Sequence, residues 1–336
     1  MQGSEPIRVD IGVFAHNEAA GIAAMVARLA AQDILQVPGI SARVLVLANG
    51  CGDDTVARAQ HAAVEVVDLP EGGKSRTWNR FVHDLARADT NLLVFADADI
   101  EFCDTGALRR LVLALGARWV INSQPVKDIV ARPDGLSALD KIIAAAGGGL
   151  DDWQTAICGQ LYAMPAPVAR RFHLPIGLPV EDGFLRALVL TDAFTGPEDF
   201  AHIGGAEGVF HIYASERSIG ALIRHQVRIV IGSAVNFAAF AAISAQAAGQ
   251  RHAELARAAA DSGWLGRVIT ARLPRWPYGY VPPHFLTKRL LRAAQSPRDL
   301  LRPKRALVTV LGFGFDAIVY LRAQVAMLRG TGAGHW

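Results

Sequence analysis

The chain has 336 residues, 51% of them hydrophobic and 19% charged, which is enough apolar material for a large core and excludes a disordered or coiled-coil chain. The formal net charge of +3 conceals an asymmetry: residues 267–336 carry 12 Lys and Arg against 2 Asp and Glu, behind an acidic body. A basic tail of that kind suits an anionic surface, while the absence of any nucleic-acid-binding motif argues against DNA or RNA as the partner. Three scattered cysteines, Cys51, Cys103 and Cys158, show no metal-ligand spacing and fit a reducing compartment. Glu5 and Asp10 precede any apolar run, without the h-region of a signal peptide, so a cytoplasmic location is expected.

In chain order, residues 7–15 read as a first strand, followed by His16-Asn17-Glu18 and a helical pattern from 19 to about 32. A second strand at 44–48 leads into Asn49-Gly50-Cys51-Gly52-Asp53-Asp54-Thr55 and a helix to about 61. A third at 64–69 leads into Glu71-Gly72-Gly73-Lys74 and a helix over 75–88. The fourth, 91–96, ends in Asp97-Ala98-Asp99. Strands alternating with helices of this length predict a parallel, doubly wound α/β sheet, and in such sheets ligands sit beyond the carboxyl ends of the strands. All four polar clusters fall there. Residues 119–126 and 157–164 read as further strands, with a mobile loop expected at Gly147-Gly148-Gly149, and Glu181-Asp182 opens a helix.

Each cluster has a functional and a plain reading. On an extended backbone Asp97 and Asp99 project to one side, a hard oxygen site for Mg²⁺ or Mn²⁺ together with substrate phosphates. Asn17 and Glu18 can meet a ribose or base, although Glu18 is equally a first-turn residue favoured by the helix dipole. Asn49 offers donor and acceptor to a nucleobase edge, whereas Asp53 reads better as structural, capping the next helix. Lys74, behind two glycines and before a helix, suits anion contact but is also an ordinary surface position. Glu181 and Asp182 are a first-turn pair or a general base with a partner carboxylate. Arg224 and Arg228, four apart, share a helical face open to diphosphate, to anionic lipid or to water.

In their order and spacing these pieces resemble family 2 glycosyltransferases, inverting enzymes of the GT-A fold, over roughly residues 7–230. The matching residues are His16-Asn17-Glu18, 49–55, Gly73-Lys74 with Asn79, Asp97-Ala98-Asp99, Glu181-Asp182 and 224–228. The resemblance implies a doubly wound, mostly parallel sheet of GT-A type, a nucleotide-sugar donor (commonly a UDP-sugar) and a divalent Mg²⁺ or Mn²⁺. It also implies site roles. Asn17, Glu18 and Asn49 would hold the nucleoside, with Lys74 nearby; Asp97 would contact ribose and Asp99 would ligate the metal. Asp182 would be the catalytic base supported by Glu181, with Gly159 and Gln160 near the acceptor and Arg228 and His225 near the leaving diphosphate. The sequence departs from the family pattern where Ala48 replaces an Asp and where Ile229 replaces the Trp that follows Arg in processive synthases. The rivals are a sugar-phosphate nucleotidyltransferase, which needs a Gly-rich, Arg-containing loop after the first strand, and a catalytically silent nucleotide-sugar-binding scaffold.

The expected organisation is a transferase domain over 1–228 and a helical, basic, membrane-associating region over 229–336. Residues 229–250 carry no charge, and 306–328 are apolar apart from Asp316 and Arg322. Were both to cross a bilayer, the strongly basic segment 251–305 would face away from the catalytic domain, against the positive-inside tendency. Helices lying on or dipping into the cytoplasmic leaflet are expected instead, with Trp264, Trp276, Tyr278 and Tyr280 as an interfacial belt. That location favours a lipid or lipid-linked acceptor.

Overall fold

A computed structural model describes residues 5–137, 140–141, 152–275, 279–295 and 302–330. The glycine run at 147–149, and Trp276 and Tyr278, lie outside them.

The first half alternates as expected: β1 (Ile7–Ala15), α1 (Ile22–Ala30), β2 (Ile40–Asn49), α2 (Thr55–Arg58), β3 (Glu65–Leu69), α3 (Lys74–Arg80) and β4 (Leu92–Asp97). β5 (Ile100–Phe102), α4 (Ala107–Leu113), β6 (Val120–Lys127) and β7 (Leu161–Pro165) follow, then α5 (Glu181–Thr191) and β8 (Ile203–Tyr213). The strands form one eight-stranded sheet in the order β3-β2-β1-β4-β7-β6-β8-β5. β1 to β4 are mutually parallel, which brings Ala15, Asn49, Leu69 and Asp97 to one edge. β7 runs antiparallel to β4 and β6, and β5 antiparallel to β8, so the sheet is mixed. The alternating side chains of β1 and β2 divide between two apolar layers, one on each face.

Two expectations need adjustment. The helix read over 75–88 is α3 followed by a π-helical turn at Phe81–Leu85. Asp97 closes β4, whereas Asp99 sits in the tight turn before β5 rather than on an extended strand.

The C-terminal part is helical: α6 (Ile219–Ser244), α7 (Arg251–Ala260), α8 (Trp264–Arg272), α9 (His284–Gln295) and α10 (Pro303–Leu328). α6 is no peripheral element. Val230, Ile231, Val235, Ala238 and Ala239 are buried in the same apolar cluster as Phe184 and Leu188 of α5. Asn236 Nδ2 donates to Val180 O at 2.8 Å, and a Cβ on Gly232 would stand 2.2 Å from Val180 Cγ2. α6 therefore packs directly beneath the start of α5. Trp264, expected in an interfacial belt, is 4% exposed, and its Nε1 donates to Glu254.

α10 differs. Three of its polar side chains turn inward: Asp316 pairs with Arg289, Gln324 bonds the backbone of Tyr280 and Val281, and Tyr320 donates to Val281 O. Its outer face exposes Leu307, Leu311, Ile318, Leu321, Val325 and Leu328. Both α6 and the 305–328 part of α10 are long and apolar enough to cross a membrane, but half of the α6 window is buried inside the protein against 11% of the α10 window.

Candidate active site

The loops after β1, β2 and β3 are stitched together by their own polar groups. Asn17, at φ +56°, accepts at Oδ1 from Gly52 N, and its amide contacts His16 Nε2. His16 Nδ1 donates to Asn49 O at 2.6 Å, so this imidazole is the Nδ1–H tautomer. Glu18 N donates to the Thr55 hydroxyl, and Asp53 accepts from Ala19 N, Thr55 N and Thr55 Oγ1. Gly50, at φ +58°, passes so close to the next loop that a Cβ would stand 2.7 Å from Gly72 Cα.

Asn49 is buried. Its Oδ1 accepts from Gly73 N at 2.8 Å and Thr77 Oγ1 at 3.0 Å, which fixes the first turn of α3. The side-chain oxygen suited by type to a base edge is thus engaged within the protein. One turn on, Trp78 Nε1 donates to Tyr162 OH, and Trp78, Phe95 and Tyr162 stack at 5.7 and 4.6 Å. Asn79 exchanges two hydrogen bonds with Leu174. These ties set the direction of Lys74.

Lys74 reaches the centre of the site. Its Nζ lies 2.7 Å from Asp97 Oδ1, 3.3 Å from Glu181 Oε1 and 3.2 Å from Gly159 O. Lys74 thus joins the rim of β4 to the first turn of α5, whose Glu181 stands 107 positions further along the chain. Gly159, at φ +70°, lies against the base candidate: a Cβ there would stand 3.0 Å from Asp182 Oδ2. Gln160 O accepts from Asp97 N, and its side chain meets His211 Nε2 at 3.1 Å. His211, fully buried on β8, contacts Ser123 Oγ through Nδ1, and burial pulls it down to about 4, so it is neutral. Sequence reasoning passed over His211 and Ser123, since a lone His in an apolar strand carries no local signal.

The electrostatics follow from crowding. Burial pushes Asp97 up to about 7, with Asp99 adding to the effect and Lys74 opposing it. Burial and then Glu181 push Asp182 up to about 6, against Lys74, the Gly183 N–H and Arg228. Partial burial, then Asp99 and Asp53, push Glu18 upward. Burial opposes charge on Lys74, yet Asp97 and Glu181 hold its ammonium well above the ordinary range. Asp182, poised near 6, is suited to proton abstraction close to neutral pH.

Asp99 is exposed and takes no hydrogen bond or ion pair from the described residues. Among those residues no three His, Cys, Asp or Glu side chains form a ready-made cage for a metal ion. Of the α6 residues, Arg228 acts electrostatically on Asp182, His225 pairs with Glu216 at 3.0 Å, and Arg224 points to solvent. The structure therefore brings Lys74, Asp97, Gly159, Gln160, Glu181, Asp182 and Arg228 together, with Glu18 coupled to Asp99 beside them. It ties Asn17 and Asn49 into the loop framework and turns His225 toward Glu216.

Comparison with known proteins agrees with this architecture. Residues 10–136 match the family described as glycosyl transferase family 2. Among solved structures, the mannosyltransferase PcManGT from Pyrobaculum calidifontis, in complex with GDP-Man and Mn²⁺, aligns over 97% of this chain and 88% of its own, with TM-score 0.54 and 18% identity. Glucosyl-3-phosphoglycerate synthase from Mycobacterium tuberculosis, in complex with Mn²⁺, UDP-glucose and phosphoglyceric acid, aligns over 69% and 79%, with TM-score 0.47 and 19% identity. No curated protein matches the chain.

Proposed function

We propose that this chain, whose residues 10–136 match glycosyl transferase family 2, moves one sugar from a nucleotide-sugar donor to a hydroxyl of a lipid or lipid-linked acceptor, with inversion, at the cytoplasmic face of a membrane. The observation that carries the transfer chemistry is the convergence of donor-side and base-side carboxylates on Lys74. Groups far apart in sequence meet where a doubly wound sheet binds ligands.

The residues fit a hard divalent ion. Asp99 offers carboxylate oxygens with no partner among the described residues, and beside it Glu18 is pushed upward by partial burial and then by Asp99 and Asp53. Mg²⁺ and Mn²⁺ sites of one or two carboxylates completed by substrate phosphates and water need no protein cage. Asp99 would hold the ion, which when bound supplies positive charge for the departing nucleoside diphosphate. Mn²⁺ in the Pyrobaculum mannosyltransferase supports the same assignment.

In the reaction Asp97 receives a ribose hydroxyl at the end of β4. Asp182 takes the proton of the acceptor hydroxyl as that oxygen attacks the anomeric carbon from the face opposite the leaving group. The C–O bond to the acceptor forms as the bond to the diphosphate breaks, giving one inversion through an oxocarbenium-like transition state. Glu181 keeps Asp182 in a carboxylate-rich pocket, and Gly159 leaves room for its side chain. Arg228 adds positive charge on the α6 side.

The lipid acceptor and the membrane location are supported by α10. It exposes leucine, isoleucine and valine side chains, while Arg305 and Arg322 on the helix and Arg302 and Arg329 at its ends are exposed as well, the combination favoured at an anionic interface. α6, by contrast, is committed to the protein core. A thermal-shift screen of UDP- and GDP-sugars with Mn²⁺ tests the donor, and transfer of radiolabelled sugar into a butanol-extractable product tests the acceptor. Stabilisation by a nucleotide sugar only with metal, followed by label in lipid, is the expected result. Label confined to water-soluble products would overturn the lipid assignment.

A further inference from the structure

Lys74 is placed by the fold rather than by the reach of a flexible side chain. Gly73 N and Thr77 Oγ1 are fixed on Asn49, Trp78 is locked in the aromatic stack, and Asn79 is clamped to Leu174. The ammonium joins three separate segments: it donates to Asp97 ending β4 and to Gly159 O in the loop before β7, and it pairs with Glu181 opening α5. In this structure the ammonium is therefore engaged by the protein's own groups.

The same loop backbone that accepts from Lys74 presses on the base, since Gly159 lies against Asp182. The charged and polar groups facing Asp182 are Glu181 and the Gly183 N–H on α5, Lys74 on α3, Arg228 on α6 and Cys158 in the loop. We infer that Lys74 is a positioning residue that couples donor binding to the base, by holding Asp97, the Gly159 loop and Glu181 in one cross-link. This rests on the reading of Asp97 as a donor contact and Asp182 as the base. A donor hydroxyl that engages Asp97 competes with the ammonium for the same oxygens. The ammonium then bears more fully on Glu181 and Asp182, and the base ionises more readily with donor present than without it. By reciprocity, ionised Asp182 favours donor binding.

The test needs no turnover. In protein carrying ¹³C-labelled aspartate carboxyls, with D182N assigning the resonance, Asp182 is titrated alone and with Mg²⁺ plus UDP-glucose or GDP-mannose, whichever stabilises the protein. The midpoint is expected near 6 in the free protein, a unit or more higher in Lys74→Met, and substantially restored in Lys74→Arg. Donor should lower it in the parent but not in Lys74→Met. An Asp182 midpoint indifferent to Lys74→Met would overturn the inference, as would an equal donor effect in both proteins. Should Lys74→Met fail to fold, Lys74→Gln is read by the same criteria. Failure of the transferase reading is separate: neither nucleotide sugar would stabilise the protein, while the donor-free comparison would still report on the cross-link.

Discussion

On the proposed reading Asp182 and Asp99 carry different halves of the chemistry, and their substitutions separate them. Asp182→Asn keeps the shape and removes the proton acceptor, so transfer should fall by about 10²–10⁴-fold while metal-dependent stabilisation by donor persists. Retained turnover would remove Asp182 from the base role. Asp99→Ala should weaken donor binding in the presence of Mn²⁺; an unchanged metal titration in calorimetry would count against it as ligand. Gly159 gives a third case. A methyl group there meets Asp182 and also sits at φ +70°, so Gly159→Ala should displace the base. A drop of about 10²-fold in kcat, with donor affinity retained, is the signature of misplacement and is read by steady-state kinetics. The acidic residues were legible as candidates because carboxylates at strand ends are uncommon without a reason. Lys74 was not legible in the same way: a lysine after glycines is usually solvated, and its partners stand 23 and 107 positions away.

Among the elements, α6 and α10 have similar hydropathy and opposite fates. Composition could not separate them, because an apolar helix reads alike whether protein or lipid covers it. What distinguishes α6 is Asn236 tied to Val180 and Gly232 abutting Val180, contacts to a segment more than fifty residues earlier. What distinguishes α10 is that Asp316, Tyr320 and Gln324 face the protein, leaving leucines outside. The double substitution Leu311→Glu and Leu321→Glu should therefore strip the protein from phosphatidylglycerol vesicles in a flotation assay, with donor binding unaltered. Equal flotation of parent and variant would count against α10 as a membrane-binding face. Strand existence and parallel order over β1–β4 were readable from the alternation of apolar runs and turns. The antiparallel insertion of β7 was not, since strand direction there depends on a long connection without regular pattern.

For the whole molecule, the site is a concentration of negative charge that the fold tolerates because Lys74 sits inside it, with the exposed Arg228 adding positive charge from α6. Burial and then Glu181 push Asp182 up to about 6, so on the proposed reading acidification through that pH removes the proton acceptor. kcat/KM should consequently fall on acidification with a midpoint near 6, measured at saturating metal; a profile flat down to pH 5 would contradict the assignment. The charge balance of the chain, an acidic body with a basic tail, was visible without any fold, and the alternation of strands and helices already put the acidic clusters beyond the strands' carboxyl ends; the burial that pushes Asp97 and Asp182 upward was not visible.

The centre of β1 shows how far the chemistry reaches into the scaffold. Gly12 has no side chain because the Phe81 ring occupies that space: a Cβ would come within 2.8 Å of it. Phe81 follows α3 directly and packs edge-on to Phe95 and Phe14. Replacing strand glycines with alanine is a routine way to stiffen an enzyme. At Gly12 it would instead push on the hydrophobic mounting of the helix that delivers the ammonium, so an engineer seeking heat tolerance should leave this position alone.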